Sequence, residues 1–186
     1  MTEAELHFRD ATEDDIPVLV TLVTSAYRGE ASRVGWTTEA DILDGERIDP
    51  EVLREDLRRA RSRVLVLEGG GAESVLACAH IAEEHGAGYF GMFAVRPGLQ
   101  NAGIGRRVLA EAERVVRDEW QLPVMRMTVI VQRDELIAWY ERRGYVRTGR
   151  FKPFPYGDTR FGLPRRDDLR FEVLEKPLNK PGAARS

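Results

Sequence analysis

Gly103 and Gly105, in Gln100-Asn101-Ala102-Gly103-Ile104-Gly105, lie between an apolar run ending at Val95-Arg96-Pro97 and a segment whose apolar residues recur at helical spacing. A strand, a glycine turn and a helix start, in that order, make an anion site. The turn presents several backbone N–H groups, and the helix N-terminus adds its partial positive charge at the same point. Gly98 and Gly103 have the spacing of a Walker A loop, but Ile104-Gly105 stands where its lysine and hydroxyl are needed. The dinucleotide pattern fails too, because Val108 occupies the place of its third glycine. What remains is a pyrophosphate held by backbone N–H groups with Arg106 or Arg107 beside it. A strand–turn–helix that binds nothing has the same local pattern.

The second chemical cluster is Trp139-Tyr140-Glu141-Arg142-Arg143-Gly144-Tyr145. The Tyr140 phenol is a group that can donate a proton. The competing reading of Tyr140 is a core residue packed on Leu136 and Ile137, one helical turn earlier.

Together these two motifs resemble the Gcn5-related N-acetyltransferase (GNAT) superfamily. Its acetyl-coenzyme A loop reads Gln/Arg-x-x-Gly-x-Gly/Ala, matched at every defined position by Gln100 to Gly105; Val95-x-Pro97 and Leu109 fit the flanks. The resemblance spans roughly residues 6 to 176 and is specific at the two motifs. It implies a single-domain α/β fold with a central mixed, mostly antiparallel sheet flanked by helices. The implied activity is acyl-coenzyme A-dependent N-acyl transfer, with acetyl-coenzyme A as donor and a small-molecule or peptide amine as acceptor. The alternative is a non-catalytic acyl-coenzyme A-binding module of the same fold. By resemblance, Tyr140 is the catalytic acid beside the coenzyme sulfur. Gln100, Asn101, Ala102, Gly103, Ile104, Gly105 and Arg106 hold the pyrophosphate, and the main chain of Phe93, Ala94 and Val95 pairs with pantetheine. A homodimer is compatible with the resemblance.

Two departures from the family pattern matter. Where an asparagine commonly begins the tyrosine-bearing helix, this chain has Arg133, which would contact the coenzyme through charge or else face solvent. Many relatives carry a glutamate on the strand before the loop, yet Tyr89-Phe90-Gly91-Met92-Phe93-Ala94 contains no carboxylate. Glu30, Glu39, Asp41 and Asp158 are then candidates for the general base, unless the amine arrives neutral. Cys78 and His80 share an apolar stretch and read as core residues rather than nucleophile and base. Direct transfer therefore outranks a covalent acyl-cysteine. Residues 27–44, which include Trp36, and Phe151 to Asp158, which looks too irregular for a strand, read as acceptor-selecting loops. Their acidic and aromatic character would suit a cationic amine.

The elements that must position these residues are legible in outline. The chain has 186 residues, 42% of them apolar, enough for one domain with a sizeable core. The spacing predicts a domain over residues 1–178 and a disordered tail over 179–186. With 28 basic and 31 acidic residues, no general nucleic-acid or membrane partner is expected. One cysteine and three histidines give neither a disulfide nor zinc spacing, so no metal is expected. The N-terminus does not resemble a signal peptide, which makes a cytoplasmic protein the expectation. Predicted strands lie near 6–9, 64–67, 75–82, 89–95, 124–131, 145–146 and 169–174. Helices are predicted near 16–27, 50–60, from 104 onward and over 134–143.

Overall fold

The computed structural model describes residues 6–27, 43–44, 48–71, 74–99, 102–158, 163–164 and 166–178. The expected tail therefore lies outside the described residues, as do Glu30, Trp36, Glu39, Asp41, Gln100 and Asn101.

Local chemistry sets the first helices. Strand β1 (His7–Asp10) leads into a 3-10 turn (Glu13–Asp15), where the Thr12 N–H donates to Asp15 Oδ2 at 2.8 Å. Arg9 forks onto both oxygens of the same carboxylate at 2.8 Å, fixing the turn to the strand. Helix α1 (Ile16–Tyr27) follows. Helix α2 (Pro50–Arg58) starts on Asp49, whose carboxylate accepts from the N–H groups of Glu51 and Val52, with Pro50 in the first turn. A short strand β2 (Leu43–Asp44) precedes it.

The alternating residues of β3 (Ser62–Glu68) and β4 (Val75–Glu84) face two different cores. Val64, Val66 and Cys78 pack with α1 and α2, whereas Leu65, Leu67, Ala77, Ala79 and Ile81 pack on the opposite face. That second face is covered by α3 (Ile104–Arg114), its π-helical continuation (Val115–Glu119) and α4 (Asp134–Glu141). The remaining strands are β5 (Ala87–Val95), β6 (Val124–Ile130), β7 (Val146–Pro153), β8 (Leu163–Pro164) and β9 (Arg170–Pro177). The main sheet has seven strands in the order β1-β3-β4-β5-β6-β9-β7, and β2 pairs with β8 separately. Every neighbouring pair is antiparallel except β5 and β6, which are parallel.

The expectation of an irregular segment from Phe151 is corrected. Phe151, Lys152 and Pro153 finish β7, opposite Glu172, Phe171 and Arg170 of β9. Local composition suggested a loop because aromatic and proline residues crowd there. The strand forms because β7 is an edge, where Pro153 can close it without breaking an inner ladder. A bulge between Arg147 and Phe151, with Gly149 at φ +74°, shifts the register before these last residues pair.

Candidate functional site

The parallel pair β5·β6 is short. Its register comprises Gly88 opposite Met125 and Tyr89 opposite Arg126, and beyond Tyr89 and Arg126 the strands part. A bulge sharpens the divergence: β5 loses step with β4 between Cys78 and His80, where Met92 adopts a left-handed φ of +49°. Such a conformation costs a non-glycine residue about 1–3 kcal/mol, so the surrounding packing must enforce it. The Cys78 thiol donates to the Met92 carbonyl at 3.5 Å, which assigns this buried cysteine a structural task.

The parting opens a solvent-connected cleft lined by Phe90, Gly91, Met92 and Phe93 from β5 and by Met127 to Ile130 from β6. Arg133, Leu136 and Tyr140 from the α4 region and Phe171 from β9 complete its wall. Its apolar walls and mixed main-chain edges suit a slender chain that carries amides. No carboxylate lines it among the described residues. Tyr140 is 4% exposed; it packs in the core, as the core reading expected, and it also lines the cleft. Arg133 is 7% exposed and lines the same cleft, which removes the solvent-facing alternative.

Phe93, one of the residues singled out from sequence, is in the cleft wall, whereas Ala94 and Val95 are buried next to it and paired with Cys78 and Ala77 of β4. After Val95 the chain turns, with Leu99 N–H bonded to the Arg96 carbonyl and Ala102 N–H bonded to the Leu99 carbonyl. Gly103 then caps α3 in the left-handed conformation, φ +75°, with no capping side chain to occupy the helix end. The N–H groups of Ile104, Gly105 and Arg106 belong to the first turn, which has no intrahelical acceptors for them. Gly105 is required by packing: a Cβ there would stand 3.1 Å from Phe93 Cζ and 3.5 Å from Trp139 Cζ2. This glycine seats the start of α3 against the cleft wall and against α4.

Sequence reasoning missed a second source of positive charge near the start of α3. Arg143 lies over the Trp139 ring, 3.7 Å from its centroid, and its Nη1 donates to the Trp139 carbonyl at 2.8 Å. Burial lowers its pKa from the ordinary arginine value, and the charges of Arg106 and Arg142 add to that. Three guanidinium groups from the start of α3 and the end of α4 thus share one region, and none of them is ion-paired to a carboxylate among the described residues. The signal was present as the consecutive arginines before Gly144, but only the fold brings them to Arg106.

The other sequence candidates fall elsewhere. Asp158 does not line the cleft, and Glu30, Glu39 and Asp41 are outside the described residues. His80 is buried, 7% exposed, with Nε2 2.8 Å from Ser62 Oγ, and burial pushes it down to about 4. Its Nδ1 is 3.8 Å from Asp56, too far for a hydrogen bond, so no catalytic triad is assembled there. Pairing of β2 with β8, through Leu43–Pro164 and Asp44–Leu163, ties the end of the first region read as an acceptor-selecting loop to residues that follow the second. No metal-binding cluster occurs among the described residues, and no helix there is long and apolar enough to cross a membrane.

Comparison with known proteins agrees with this architecture. The ribosomal-protein-S18-alanine N-acetyltransferase from Escherichia coli superposes with a TM-score of 0.68 at 14% identity, covering 97% of this chain and 99% of that one. The spermidine/spermine N-acetyltransferase from Vibrio cholerae gives 0.63 at 15% identity, covering 94% of each chain. An IAA acetyltransferase from Bacillus cereus gives 0.63 at 15% identity, with 93% and 99% covered. At these identities the likeness establishes the fold alone. No curated protein matches the sequence. The acetyltransferase (GNAT) family, however, matches residues 24–145, a stretch that holds the glycine loop, the parting strands and Tyr140, and the chain belongs to that family.

Proposed function

We propose that the protein is an acetyl-coenzyme A-dependent N-acetyltransferase that transfers acetyl directly to an amine acceptor. The observation that carries this reading is the parting of β5 and β6 beside the bare N-terminus of α3, with Tyr140 in the cleft wall. The first-turn N–H groups of α3, with Arg106, Arg142 and Arg143 around them, fit a pyrophosphate. Gln100 and Asn101 complete that loop in sequence. The cleft between Phe90–Phe93 and Met127–Ile130 fits a pantetheine arm, with the β5 main chain through Val95 facing its amides.

When bound, the thioester supplies an activated acetyl carbon. In the proposed reaction the amine nitrogen bonds to that carbon and the carbon–sulfur bond breaks. The Tyr140 phenol gives its proton to the departing sulfur, and the proton lost by the amine leaves to solvent. Backbone N–H groups near Val95 bear on the carbonyl oxygen as charge develops there. Holding both reactants in one cleft supplies much of the acceleration. Arg133 lies in the same wall and contributes positive charge near the coenzyme. The acceptor is a small-molecule or peptide amine, and the protein works in the cytoplasm.

The lack of a carboxylate among the described cleft residues favours a second reading, a coenzyme-binding module without transfer. Thermal unfolding with acetyl-coenzyme A, coenzyme A, ATP and NAD in parallel tests the common premise. The coenzymes alone are expected to raise the midpoint, since a ligand binding only the native state stabilises it. A shift with ATP or NAD alone overturns both readings. Thiol release with a panel of amines then separates them: Tyr140→Phe should lower turnover about a hundredfold while the coenzyme-induced shift persists.

A further inference from the structure

Against Tyr140, through the Tyr145 ring, lies a part-buried ionic cluster outside the cleft lining that binding and transfer as proposed do not use. Glu113 sits on α3, is 7% exposed, and accepts from Lys176 Nζ through both oxygens at 2.8 Å. The Tyr145 hydroxyl donates to Glu113 Oε1 at 3.5 Å, a long contact. The Tyr145 ring meets the Tyr140 ring edge-on, with centroids 5.8 Å apart and planes at 67°. Lys176 Nζ is 5.7 Å from the Tyr145 ring centroid. Gly144, at φ +96°, lets the chain turn between the two tyrosines, and a Cβ there would stand 3.3 Å from Lys176 Cε. Three elements, α3, the α4 turn and β9, thus converge on one tyrosine that abuts the proposed acid.

A carboxylate is costly to bury, the part-buried Lys176 offsets that cost, and an isolated core tyrosine needs neither beside it. What the arrangement does supply is a fixed dipole next to a phenol. Its negative end raises the pKa of Tyr145, whose burial acts in the same direction, and a charge on Tyr140 would raise it further. Electrostatic coupling between the two phenols is therefore built into the packing. A Tyr145 that stays protonated across the working range can hold Tyr140 in one orientation without competing for its proton.

We propose that Glu113, Lys176 and Tyr145 are positioning residues for Tyr140, fixing its ring and setting the proton affinity of its phenol through the paired charges of Glu113 and Lys176. This rests on the reading of Tyr140 as the acid. Among the ionisable groups near Tyr140 are Tyr145, whose ring it meets, Glu113 and Lys176, which both contact Tyr145, and Arg133 in the same cleft wall. Glu113 disfavours the phenolate, while Lys176 and Arg133 favour it. Removing one member of the Glu113–Lys176 pair uncovers the other, so the two deletions must act in opposite directions.

The test uses the full chain with 3-fluorotyrosine in place of tyrosine, and the 19F resonance of residue 140 is identified by its loss in Tyr140→Phe. Glu113→Gln should lower the apparent pKa of residue 140, and Lys176→Gln should raise it, each by about half a unit or more. The double variant Glu113→Gln/Lys176→Gln should return it close to the parent value. Lys176→Arg, which keeps the charge, should leave it in place. Shifts of the same sign, or none in variants whose thermal unfolding shows them folded, overturn the proposal. If Glu113→Gln unfolds, Lys176→Gln against Lys176→Arg decides alone. Failure of the acid reading is seen separately, as undiminished thiol release by Tyr140→Phe.

Discussion

The two ends of β5 each carry a glycine and have opposite uses. At Gly88 and Tyr89 the strand is held on both sides, by Glu83 and Ala82 of β4 and by Met125 and Arg126 of β6. Gly88 is there for packing, because a Cβ would stand 2.4 Å from Val116 Cγ1 on the segment that continues α3. From Phe90 onward β6 has moved away, and Gly91 faces the opening with the Tyr89 ring lying over it. One end is a closed ladder that sets the position of α3, and the other is an open edge that can take a ligand. Glycine marks both ends, so glycine content alone does not locate the site. Partner strands do.

The strongest way to break this contrast is at the closed end. Gly88→Ala must displace Val116, a residue with no exposed surface, and should cost at least about 3 kcal/mol of stability, at the upper end of overpacking penalties. Chemical denaturation measures it, and an unchanged midpoint would show that the helix is not fixed from this end. The other consequence of the closed end is a pH dependence. His80 titrates at about 4 in the folded protein, below its ordinary 6.5, so the unfolded chain binds more protons between those values. Its contribution to stability is complete above pH 6.5 and is lost as pH falls toward 4, amounting to about 3 kcal/mol in all. His80→Gln should flatten the stability profile between pH 4 and 6.5 relative to the parent, and parallel profiles would remove His80 as the cause. The smallest expected effect belongs to the open end. Gly105→Ala presses on Phe93 and Trp139 at the cleft wall and should weaken coenzyme A binding about tenfold, or about 1.4 kcal/mol, with a smaller loss of stability. Calorimetric titration with coenzyme A reads this directly; equal affinity would separate the glycine from the cleft.

Much of the scaffold was visible in the residues. The Thr12–Asp15 start, Pro50 at the head of α2, the Gly69-Gly70-Gly71 hairpin and Gly144 at the end of α4 each carry a local backbone reason that the residues themselves state. Phe151 to Pro153 was misread because an edge strand tolerates proline and aromatic residues that a central one would not. Of the site, Tyr140 and the glycine loop were legible as types at a spacing. Phe171, Thr128 and Ile130 were not, since a residue that lines a cleft formed by parting strands looks like any strand residue.

The sequence by itself determined most of the elements and marked the glycine turn and Tyr140 as candidates, because caps, turns and periodicity act over a few residues. The tertiary structure decided where β5 and β6 stop pairing, that the charge of Arg106 bears on Arg143, and that Glu113 and Lys176 meet at Tyr145. Those depend on register and on contacts between elements distant in the chain. No local pattern encodes them, because each is set by how several faces pack at once.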